Sequence, residues 1–191
     1  MKTIIAGIIA GVILFIWGFL AWAVLPIHKS SLRSLSNEDA VIAALRASSP
    51  VKGLYLFPAM PTDNTPAAED AYIQKYKAGP TGIIIYDPDG SSPMMTGQMI
   101  IGFINSILTG LLGAWLLSRS TAVSSSYIAR VALFGVIGVL ISLATHIVNW
   151  NWLNYPYDYT VGLVIDSVIG WLLAGLGAAA FLKTPSPSTV Q

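Results

Sequence analysis

The sequence predicts an α-helical integral membrane protein, with four transmembrane helices and a small α+β extracytoplasmic domain inserted between the first and second. Three observations carry this reading. Four apolar runs, residues 3–25, 97–117, 127–148 and 159–182, each approach the roughly 20 residues that cross about 30 Å of hydrocarbon. The 191-residue chain is 54% hydrophobic and 10% charged, with a mean hydropathy of +0.68; a soluble domain is about one quarter charged. Between the first two runs lies a polar stretch with helix and strand signals of its own.

Charge and cysteine content exclude several classes. A formal net charge of +1 leaves no basic stripe for nucleic acid. The absence of cysteine removes disulfides, thiolate metal sites, iron–sulfur clusters and thiol nucleophiles.

The first run has a basic start at Lys2 and a small-x-small step at Ala21-Trp22-Ala23, as a signal peptide would. Its apolar stretch exceeds the roughly 7–15 residues of a signal core, so residues 1–25 are expected to stay as a transmembrane helix. Gly7 and Gly11 form a GxxxG pair on it, a spacing that lets helix backbones approach closely. Packing within the bundle is the favoured use, contact with a partner the other.

Residues 26–96 are too patterned for a linker. Ser36-Asn37-Glu38-Asp39 resembles a capping box, and Val41, Ile42 and Leu45 follow at helical spacing, with Pro50 as the stop. Residues 52–57 form a strand candidate ended by Pro58. Residues 67–78 read as a second helix closed by Gly79-Pro80, and residues 81–86 as a second strand leading into the turn Asp87-Pro88-Asp89-Gly90. The order helix, strand, helix, strand predicts one compact unit with paired strands, resting on the outer ends of the bundle because two strands alone are marginal. The tail, residues 183–191, with Pro185 and Pro187, is expected to be disordered.

Orientation follows from short-loop charge. Lys2, Arg119, Arg130 and Lys183 share one side if the chain crosses four times, and residues 149–158 carry no Lys or Arg. The positive-inside rule then puts both termini in the cytoplasm. The six basic residues of the 26–96 segment lie in a loop longer than the roughly 60 residues within which charge steers topology. Trp150, Trp152, Tyr155, Tyr157 and Tyr159 make an aromatic belt for the outer interface.

Leu25-Pro26, Asn37-Glu38-Asp39-Ala40-Val41, Gly53-Leu54-Tyr55 with Pro58, Gly79-Pro80 and Tyr86-Asp87-Pro88-Asp89-Gly90 together resemble a family of small uncharacterised bacterial four-helix inner-membrane proteins with a periplasmic domain. The resemblance covers about half the chain, namely the first helix and the inserted domain. It implies a bacterial inner-membrane location and this architecture, and no activity, cofactor or catalytic residue.

The polar groups inside the runs are the candidate site. Asp166 sits in the fourth run with Gly162 and Gly170 four residues to either side, on one small-residue face. A carboxylate at that depth is costly and faces a bundle interior or a cavity. His146 on the third run and Asn105 on the second fall at comparable depth, about 6 Å and 12 Å from the outer interface against about 10 Å for Asp166. An intramembrane polar cluster of Asn105, His146 and Asp166 is therefore expected, with Asp166 bonded to His146 or Asn105. The favoured reading of such a cluster is a hydrogen-bonded pair that sets helix register, with the acid protonated; the other is a site for an ion, a proton, a headgroup or a cofactor.

His28 with Met60, Met94, Met95 and Met99 offers soft ligands for a cuprous ion, but no Met-x-x-Met or His-x-x-x-His spacing supports it. Hydrolase, zinc-protease, Walker and dinucleotide motifs are absent, so no enzyme, metal or cofactor is expected. The leading expectation is a non-catalytic accessory subunit or assembly factor of a larger bacterial inner-membrane complex, in contact with membrane lipids and with a membrane-protein partner or a second copy. The alternative is a small ion-, proton- or lipid-handling protein working through Asp166 and His146.

Overall fold

The computed structural model describes residues 1–48, 51–90, 92–120 and 126–182; the expected proline stop at position 50 and the tail at 183–191 lie outside them. Four helices are long and apolar enough to cross a membrane: α1 Lys2–Val24, α4 Thr96–Arg119, α5 Tyr127–Leu153 and α6 Tyr157–Phe181. Between α1 and α4 come α2 Glu38–Ser48, β1 Gly53–Phe57, α3 Pro66–Ala78 and β2 Gly82–Tyr86. The chain divides into two compact units, one holding Met1–Leu32 and the residues from Met94 onward, the other Arg33–Pro93. The second unit lies within the expected 26–96 segment. Residues 26–32 belong with the spanning helices, because the turn after α1 buries His28 among them.

In the helical unit, α1 packs against both α4 and α6, α6 also packs against α5, and α4 meets α5 over a short stretch. Small residues allow this. A Cβ on Gly7 would stand 2.7 Å from Leu111 Cα, and one on Gly11 2.5 Å from Ile107 Cα. One on Gly110 would fall on the backbone of Gly7 and Gly11. The GxxxG pair is thus spent on α4, inside the chain. Ala6, Ala10, Ala114, Leu117, Phe134, Trp171, Ala174 and Ala178 form the apolar core. It occupies the half of the bundle that contains the start of α1, and Phe134 and Trp171 fill it with ring centroids 5.7 Å apart.

Two helices widen near the opposite end. In α1, residues Leu20–Val24 form a π turn, closed by the Leu25 amide donating to the Leu20 carbonyl at 2.7 Å. In α5, residues Ser142–His146 form another, and the helix then runs on to Leu153. The expected loop at 149–158 is therefore helical over its first half. At the core end, buried Arg130 donates from Nε to the Ala179 carbonyl at 3.1 Å, and the Tyr127 hydroxyl donates to the Leu176 carbonyl at 2.9 Å. The Arg130 bond satisfies one of the last four carbonyls of α6, which the helix end leaves without intrahelical partners.

In the second unit, β1 and β2 pair antiparallel, with Gly53 opposite Tyr86 and Phe57 opposite Gly82. The second strand opens at Gly82 rather than at Thr81, since the ladder ends at the Phe57–Gly82 pair and Pro58 has no N–H to extend it; the Phe57 ring covers that glycine, where a Cβ would sit 2.5 Å from Phe57 Cζ. Thr65 caps α3 by accepting the Ala68 amide at 3.4 Å, with Pro66 in the first turn. No described residue of α2 or α3 is buried.

Candidate polar site within the bundle

The face of α6 that carries Gly162, Asp166 and Gly170 is where α1 and its following turn dock. Each position takes a different ring. A Cβ on Gly170 would be 2.6 Å from Trp17 Cδ1, and one on Gly162 would be 3.2 Å from His28 Nδ1. Between them the Asp166 carboxylate accepts three N–H bonds. Trp17 Nε1 donates to Oδ1 at 2.6 Å, Trp22 Nε1 to Oδ2 at 3.1 Å, and His28 Nε2 stands 3.3 Å from Oδ2. Trp17 Nε1 also reaches the Asp166 carbonyl at 3.0 Å.

The π turn explains how two tryptophans five residues apart serve one carboxylate. In a regular helix a step of five rotates a side chain about 140° off the starting face. The π turn at Leu20–Val24, with more residues per turn than an α-helix, reduces that rotation, and both indoles reach the carboxylate. The imidazole of His28 then lies on Trp22 with centroids 3.9 Å apart and planes 13° from parallel, while Tyr159 stands edge-on at 6.4 Å. His28 is 2% exposed and its Nδ1 has no hydrogen-bond partner among the described residues. With Nε2 aimed at a carboxylate, this geometry suits the tautomer that carries its proton on Nε2.

Asp166 also faces a cleft of about 370 Å³ between α1, α4 and α6. Leu14, Trp17 and Gly18 line it from α1, Asn105, Ser106 and Thr109 from α4, and Ser167, Gly170 and Trp171 beside Asp166 from α6. Ser106 returns its hydroxyl to the Gly102 carbonyl at 2.9 Å. The side chain of Asn105 makes no hydrogen bond to another described residue.

The expected cluster is therefore reassembled. Asn105 and Asp166 share the cleft without a bond between them. His146 turns to the neighbouring serine, with Nε2 2.8 Å from Ser167 Oγ. The expectation that Asp166 bonds to His146 or Asn105 is corrected: its partners come from α1 and the turn behind it, because the α1–α6 contact is intimate and residues 26–32 fold over it. Among the described residues no Lys or Arg pairs with Asp166, and no group of three or more His, Cys, Asp and Glu side chains is placed to hold a metal ion. Trp17, Trp22 and His28 are the site residues that span-by-span reading passes over. The signal for them is a pair of indole N–H groups inside an apolar helix and a histidine just past its end.

Comparison with protein-family models, with curated proteins and with solved structures gives no match.

Proposed function

We propose that this chain is a non-enzymatic, multi-pass protein of the bacterial inner membrane, with both termini cytoplasmic, that handles a small cation at Asp166. One observation carries the reading: inside the spanning bundle, a carboxylate bonded to Trp17, Trp22 and His28 faces a polar cleft and has no Lys or Arg partner among the described residues. An acidic group kept there at the cost of its burial, and left open on one side, is built for a positive visitor. A carboxyl that served to set helix register would be closed by its partner instead. The reading as an accessory subunit or assembly factor loses one of its supports, because the Gly7 and Gly11 face meets α4 rather than a partner. The orientation is supported by Lys2, Arg119 and Arg130 falling at the same end of the helices, where cytoplasmic charge belongs.

The test is reconstitution into liposomes with a trapped pH dye or cation dye. The expected result is proton or monovalent-cation entry that disappears in Asp166→Asn while the variant remains folded. No flux, or flux indifferent to Asp166→Asn, overturns the reading. A stoichiometric partner in native mass spectrometry would then favour the accessory subunit.

A further inference from the structure

We infer that the cleft beside Asp166 seats an organic ammonium group, a ligand class that rests on the cation-handling reading and narrows it. An ionised carboxylate offers about four acceptor positions. Three are taken by Trp17, Trp22 and His28, two of them on Oδ2, which leaves one on Oδ1. The donors are two indoles and an imidazole whose geometry suits its neutral form, so they satisfy the oxygens without cancelling the charge. Among the described residues no Lys or Arg does so either.

Size and lining select the kind of cation. At about 370 Å³ the cleft falls within the roughly 300–1,000 Å³ of small-molecule sites. A dehydrated inorganic ion would leave most of it empty. Trp17 and Trp171 line the cleft, and indole rings attract alkylated ammonium groups, which shed water readily. Asn105 and Thr109 supply polar contacts for whatever the ammonium carries. Two sources share this chemistry, a free amine and the ammonium headgroup of a phospholipid.

The test uses the full chain in nanodiscs of phosphatidylglycerol alone, a lipid with no ammonium. Choline and ethylamine are titrated in, with intrinsic tryptophan fluorescence and calorimetry as readouts. Saturable binding is expected, weakened about tenfold or more in Asp166→Asn. The same loss is expected in Asn105→Phe, which fills the cleft while leaving all three donor side chains in the sequence. Competition by added phosphatidylethanolamine assigns the site to a lipid headgroup; its absence assigns it to a free amine, and both outcomes support the inference. Absence of saturable amine and lipid binding overturns it, as does binding that both variants leave unchanged. If sodium alone gives an Asp166-dependent response while the amines and the lipid give none, cation handling stands and the ammonium assignment fails.

Discussion

His28 and Trp22 lie face to face, 3.9 Å between ring centroids, and both present an N–H to the same oxygen of Asp166. Trp22 lies in the π turn at the end of α1, and His28 in the reversal that follows it. The Trp22 ring is the floor on which the imidazole rests, and the imidazole closes the carboxylate from the side that Trp22 leaves open.

Asp166 substitutions should separate by how many donors they strand. Asparagine can keep one oxygen at the Oδ2 position for Trp22 and His28, while its amide meets the Trp17 N–H, which retains the Asp166 carbonyl. A loss of about 1–3 kcal/mol is expected. Asp166→Leu leaves Trp22 and His28 without their acceptor, while Trp17 keeps the carbonyl, and should cost more. Thermal unfolding in a mild detergent measures both, and a leucine variant as stable as the parent would contradict this hydrogen-bond account.

His28→Phe keeps a flat ring on Trp22 and over Gly162 but removes the Nε2 donor, a cost of about 1 kcal/mol. His28→Ala also empties a space that is buried in the parent, and should cost about 2 kcal/mol or more. The same unfolding measurement ranks them. Equal stability of the phenylalanine and alanine variants would show that the stacked ring contributes nothing.

Gly110→Ala drives a methyl into the backbone of α1 at Gly7 and Gly11, with about 1–3 kcal/mol of destabilisation expected. Gly102→Ala on the same helix meets nothing within 4 Å and should be neutral or slightly stabilising, since alanine favours helix. Similar losses for the two variants would mean that α1 and α4 do not cross at these glycines.

In the second unit, Lys52 donates to Asp87 at 2.6 Å across the ends of the strands. The Lys52 hydrogen bond, helped by the Asp89 amide, lowers the Asp87 carboxyl below its ordinary range. The Asp87 hydrogen bond and charge raise the Lys52 amine. The acid's contribution is therefore fully present above the ordinary carboxylate range and lost as pH falls through the lowered value. The lysine's contribution is present below the ordinary amine value and lost as pH rises through the raised one. Both groups are exposed, so the effect is small. Asp87→Ala should slightly speed hydrogen exchange of the β1 and β2 amides near neutral pH, and the difference should vanish in acid.

Much of this architecture was legible in the sequence. Runs of apolar residues locate the spans because hydrocarbon thickness sets a length, and Pro58, Gly79 and Pro80 punctuate the strands because they break regular structure. The Gly162–Asp166–Gly170 face was legible too, since small residues four apart mark a docking surface. What docks there was not. Trp17 and Asp166 are 149 positions apart, and Trp22 reaches the carboxylate through a π turn that a constant helical period cannot anticipate. His28 lies outside any periodic segment, in a turn whose fold depends on the helices it covers. The same limit misplaced His146, whose π turn directs it to Ser167.

The central claim is that Asp166 stands in the bundle as a carboxylate held by three N–H donors, and infrared difference spectroscopy tests it most directly. Spectra of the parent and Asp166→Asn proteins, both reconstituted in lipid at neutral pH, are subtracted. The account predicts that the substitution removes carboxylate stretching bands and no protonated-acid carbonyl band. Loss of an acid carbonyl band instead would contradict it, and would make Asp166 a neutral hydrogen-bonding group in the bundle.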